Sequence, residues 1–96
     1  MMTDNAAKLA EFTELAERFI ALANEIKNEG KPLALVNAAL MSASATYGTY
    51  AAAGNQGYLK QGGVDRLVDA YRAQVSNIQE IKKRVVENDG KGQPNE

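Results

Sequence analysis

Asn37, Tyr47, Tyr50 and Tyr71 are the side chains of this chain best suited to holding a small molecule. A tyrosine brings a flat apolar ring and a hydroxyl that needs a partner, and an amide brings donors and an acceptor together. A few such polar groups among apolar rings are the usual ingredients of a ligand pocket. The same tyrosines, at helical spacing, also suit the edge of a core. Asn24 and Asn37 carry a second polar possibility. If the segments bearing them fold back on each other, their amides can hydrogen-bond across the hairpin, as buried amides must. That pair reads either as a pin on the hairpin register or as a polar anchor for a ligand.

Other chemistry finds few residues to work with. The sequence has no histidine, so the usual base near neutral pH is missing. Ser42, Ser44, Thr46 and Thr49 therefore have no imidazole to activate a hydroxyl. The sequence has no cysteine either, which removes thiolate nucleophiles, thiolate metal sites and disulfides. Glu11, Glu14 and Glu17 are hard-cation ligands by type, but their spacing equally describes a solvated helix face. Lys82-Lys83-Arg84 is a short basic run without interleaved aromatics, and the net charge is −1. Neither favours a nucleic-acid partner. No phosphate-binding glycine motif is present. The expectation is a protein that is not an enzyme, with no cofactor and no metal.

The elements that must position these residues are helical throughout. Leu9, Phe12, Ala16, Phe19, Ala23 and Ile26 recur at spacings of three and four, as do Val64, Leu67, Tyr71, Val75, Ile78, Ile81 and Val85. This is the helix period, and no window shows strand alternation. Asp4 suits an N-cap, Gly30 a left-handed C-cap, and Pro32 the first turn of a second helix. Gly54-Asn55-Gln56-Gly57 and Gln61-Gly62-Gly63 read as breakers, with Tyr58 and Leu59 between them plugging the end of a bundle. The spacing predicts an all-α, up-down-up three-helix bundle with helices over residues 5–28, 32–53 and 64–88. Residues 1–88 form its single domain, and residues 89–96 are expected to be a disordered tail.

Between Lys31 and Lys60 there is no charged side chain. A helix without charge on any face is normally covered on most faces. Two stripes stand out within it. Leu33, Val36, Leu40, Ala43, Tyr47 and Tyr50 are mostly large and suit a core against the other helices. Ala34, Ala38, Met41, Ala45, Gly48 and Ala52 form a heptad seam of mostly small residues, roughly 150° away at 100° per residue. A three-helix bundle uses one broad face of each helix, so the seam is expected to be an interface. A second copy of the chain, forming a dimer, is the expected partner, and a helix of another protein is the alternative. A small-ligand-binding regulatory bundle, with its pocket near Tyr47, Tyr50 and Tyr71, is the alternative function.

The longest apolar runs in the charge-free stretch, Leu33–Val36 and Ala38–Met41, are far short of the roughly 20 residues a spanning helix needs. Nothing in Met1–Asn5 has the form of a secretory signal. The expectation is a soluble cytoplasmic protein without membrane contact. Three segments carry a resemblance: Glu17-Arg18-Phe19-Ile20-Ala21-Leu22-Ala23-Asn24; Val36-Asn37-Ala38-Ala39-Leu40-Met41 with Ala43, Ala45 and Tyr47; and Ala70-Tyr71-Arg72. Together, from about Phe12 to Gln79, they resemble the small bacterial proteins of the domain of unknown function 3144 family. Ser42 and Ser44 stand where that family is expected to be more aromatic. The resemblance implies a bacterial, all-helical protein with no assigned activity, and it supplies no functional residues.

Overall fold

A computed structural model describes residues 4–89. Three helices follow in order: α1 over Asp4–Lys27, α2 over Leu33–Ala53 and α3 over Gln61–Asp89. No strand occurs among the described residues, so the chain has the expected all-α three-helix fold. Of the tail expected over 89–96, only Asp89 is described, as the last residue of α3, and the rest lies outside the described residues.

Each helix end has a local cause. α1 begins with Asp4 in its first turn and closes with Lys27 in its last, both of the sign that suits the helix dipole. The amides of Gly30 and Lys31 both donate to the Lys27 carbonyl, at 3.0 and 3.2 Å. Gly30 holds φ at +97°, a conformation that a side chain disfavours. The Pro32 carbonyl then accepts from the amides of Leu35 and Val36, both at 3.1 Å, and so starts α2. A missing N–H at that position costs α2 nothing. At the far end the Gly54 amide donates to the Tyr50 carbonyl at 2.8 Å, with φ at +82°.

The start of α3 departs from the sequence expectation. Gln61, Gly62 and Gly63 are its first turn, where a linker was expected. The Lys60 carbonyl accepts from the Val64 amide at 3.0 Å, and Gln61 Nε2 donates to Asp65 Oδ1 at 2.8 Å. First-turn amides lack intrahelical partners whatever the residue, so two glycines there do not break the helix. Gly63 also leaves room for Leu59, whose Cδ2 lies 3.1 Å from where a Cβ would stand. Leu59 is half-buried, whereas Tyr58 is exposed.

Contacts divide the chain within α2, between Tyr47 and Gly48. The first unit holds α1 and α2 through Tyr47, and the second holds the rest of α2 with α3. In the first unit the covered positions are Val36, which is 8% exposed, and the half-buried Ala16, Ala23 and Lys27. In the second they are the half-buried Gly48, Thr49, Ala53, Leu59, Gly63 and Leu67. Small residues predominate in the second set and make up half of the first. The large stripes expected to form a core stay in water: Phe19 is 63% exposed, Leu33 68% and Tyr71 55%. Val36 is the only buried hydrophobic side chain among the described residues. Val36→Ala should therefore lower stability by roughly 1.5 kcal/mol or more, the scale for burying a valine side chain. The urea midpoint of the variant against the natural sequence checks this.

Candidate functional site

Two candidate sites were expected, a seam on α2 and a pocket of tyrosines, and the structure treats their residues differently. Ala34, Ala38, Met41 and Ala45 lie in the first unit and are all exposed. Nothing larger than a methionine projects from this part of the seam, so a second helix can approach closely along it. Close approach multiplies weak dispersion contacts that larger side chains would hold apart.

Gly48 and Ala52 belong to the second unit and face the chain's own third helix. A Cβ built on Gly48 would stand 3.0 Å from Leu67 Cδ1 and 3.2 Å from Leu67 Cδ2. The glycine lets the Leu67 side chain lie against the backbone of α2. Ala52 lines a shallow groove of about 290 Å³ with Leu59, Gly63, Arg66, Leu67 and Ala70. The expectation that the whole seam is left over by the chain's own packing therefore does not hold at Gly48. Sequence spacing placed this glycine in the seam, but only the close approach of Leu67 shows what it accommodates.

The residues of the candidate tyrosine pocket fall in both units. Asn37 and Tyr47 share the first unit but stand ten residues apart on α2, about 15 Å along its axis. Tyr50 and Tyr71 lie in the second unit. All four are exposed, Tyr47 at 70%. The groove of the second unit includes none of them. Its lining is apolar apart from Arg66, and its alanines and glycine leave it shallow.

The remaining candidate residues are all exposed. Asn24 and Asn37 are both exposed, so burial does not force their amides to meet. Glu11, Glu14 and Glu17 are exposed along α1, and no three acidic side chains converge among the described residues. Lys82, Lys83 and Arg84 are likewise exposed, in the last third of α3. Among the described residues no helix is long and apolar enough to cross a membrane.

The Gly48–Leu67 contact makes a specific prediction. Replacing a helix-interior glycine by alanine ordinarily gains about 1 kcal/mol. Gly48→Ala should gain little of that, because the new methyl crowds Leu67. In a Leu67→Ala background the same change should recover most of it. Urea unfolding of the two single variants and the double variant gives the coupling, expected at about 0.5 kcal/mol or more.

Comparison with known proteins gives one result. The profile of a family described as a protein of unknown function, DUF3144, matches residues 12–79. No curated protein and no solved structure matches the chain. With most of its length inside the match, the chain belongs to the DUF3144 family.

Proposed function

We propose that this protein is a non-enzymatic helical association module, forming a homodimer through the exposed part of the α2 seam. One observation carries the reading. Among the described residues Val36 alone is buried, and none is fully so, while large apolar side chains on all three helices face water. Contiguous exposed apolar surface on a small protein is a mark of association. With Val36 the one buried hydrophobic side chain described, and no cysteine in the sequence, oligomerisation is a natural source of added stability.

The absence of charge between Lys31 and Lys60 supports α2 as the contact element. When two copies of one helix meet about a two-fold axis, each residue faces residues of its own kind or close to it. Charged residues in the seam would face like charges there, and this stretch has none. Ala34, Ala38, Met41 and Ala45 supply the close approach, and Leu33 and Leu40 flank them with exposed apolar bulk. A helix of another protein would meet the same surface, and its presence in place of a second copy is an outcome of the test below.

Light scattering of the purified chain should give a mass above that of the 10.3 kDa monomer. Ala38→Glu or Ala45→Glu should shift the population toward monomer. A charge buried unpaired destabilises by about 3–5 kcal/mol, so the dissociation constant should rise a hundredfold or more. A natural chain that stays monomeric at high concentration would contradict self-association. If it then captures a helical partner from its own host, the seam receives a different protein.

A further inference from the structure

The apolar stripe of α1 is open along its length. Phe12, Leu15, Phe19, Leu22 and Ile26 follow at alternating steps of three and four, which is the heptad seam of a coiled coil. All of them are exposed, Phe19 at 63%. Glu11, Arg18 and Glu25 run along one side of the seam and are exposed too. The half-buried Ala16 and Ala23 run along the other.

Charge selects the partner and the register. Two antiparallel registers of α1 against its own copy give four apolar layers each. One pairs Phe12 with Leu22 and Leu15 with Phe19, each twice, and ends on Ile26 against Lys8. It also sets Glu11 against Glu25 twice and Arg18 against Arg18, all repulsive. The other, one heptad along, pairs Phe19 with Leu22 and Leu15 with Ile26, each twice, and ends on Phe12 against Glu29. It sets Arg18 against Glu25 twice. In a parallel pair Glu11 and Arg18 would face Ala16 and Ala23, with no attraction. The third helix fits this stripe less well. With α1 antiparallel to Val68, Tyr71, Val75 and Ile78, the α3 positions beside the α1 charges are Leu67, Gln74 and Ile81, none charged. With α1 parallel to them, one four-layer register brings Arg18 to Arg72, and the other gains only Glu11 with Arg72. The alternative α3 seam, through Leu67, is interrupted by Gln74, and Leu67 already lies against Gly48.

We propose that α1 pairs antiparallel with α1 of a second copy about a two-fold axis between Ile20 and Ala21, with Arg18 of each chain beside Glu25 of the other. The contact concerns the first unit alone. At about 100° per residue, the stripe lies roughly a quarter turn round α1 from Ala16 and Ala23, and the exposed seam lies across α2 from Val36. The two contacts therefore use different sides of the unit. The link between Lys27 and Leu33 turns α2 back along α1, which puts Ile20 and Ala21 level with Ala39 and Leu40, the middle of the exposed seam. Two-fold axes at one level and near a right angle cross, and crossing axes of that kind close on four copies. In such a set each contact supports the other, because the second forms within an assembly the first has already made. The four-copy set rests on the seam proposed above; the α1 pairing does not.

The test is charge exchange, read by light scattering. Arg18→Glu and Glu25→Arg each turn both flanking pairs into like charges, and the double variant restores two attractions with the signs exchanged. Arg18 and Glu25 stand two turns apart on α1, out of reach of each other within one chain, so only pairing between chains couples them. The natural chain is expected at the mass of four copies. Each single variant is expected at two, still joined through the α2 seam, with the α1 contact weakened about tenfold. The double variant is expected back at four. Single variants of unchanged mass, or a double variant no better than the singles, would overturn the pairing. Disulfide capture gives a second readout, since the sequence has no cysteine of its own. Under mild oxidation a Leu15→Cys chain should link to an Ile26→Cys chain several-fold more than to a Phe19→Cys chain, which marks the other register. The reverse preference would overturn the register. The two proposals fail separately. Two copies indifferent to charge exchange leave the seam standing and defeat the α1 pairing. Two copies that fall to monomer in the single variants and return in the double variant leave the α1 pairing standing and defeat the seam. A natural chain that is monomeric defeats both.

Discussion

The covered surfaces of this chain are built mainly from small residues, and most of the rest follows from that. Ala16 and Ala23 are half-buried in the first unit, and Gly48, Ala53 and Gly63 in the second. Where Gly48 meets Leu67, a side chain of one helix lies against the backbone of the next. Such contacts hold helix axes close, but each removes little apolar area from water. The phenylalanines of α1 and the aliphatic stripe of α3 remain exposed. At roughly 25 cal/mol per Å² of apolar surface, covering such side chains is favourable. Exposed apolar surface of this kind is what makes association favourable for a chain with so little buried.

Much of the fold is legible in the sequence because its signals are local. The apolar spacing of α1 and α3 is a helix period and nothing else. Gly30 and Gly54 stop helices through their own backbone conformations, and Pro32 opens one through its carbonyl. The error at the start of α3 also has a local cause. Gly62 and Gly63 are poor residues for a helix interior, but the first turn is not an interior, and Leu59 needs the space beside Gly63.

What the sequence could not supply is the choice between faces. Size suggested that Leu33, Leu40 and Tyr47 would be inside and the seam of small residues outside. Only Val36 of that large stripe is buried, and Gly48 of the seam is engaged by Leu67. Apolar period tells which residues share a face, but both faces of α2 are free of charge, so nothing along it marks one as the solvent side. The tyrosines illustrate the same limit. Tyr47, Tyr50 and Tyr71 share helical spacing, but spacing does not say which of them is covered, and each is exposed.

The most direct test of the central claim is the thermal midpoint as a function of protein concentration. If folding is completed by a second copy, mass action requires the midpoint to rise as concentration rises. The account predicts a steady upward shift over a hundredfold range of concentration, with unfolding and dissociation occurring together. A midpoint that stays constant over that range, with cooperative unfolding of a monomer, would contradict it.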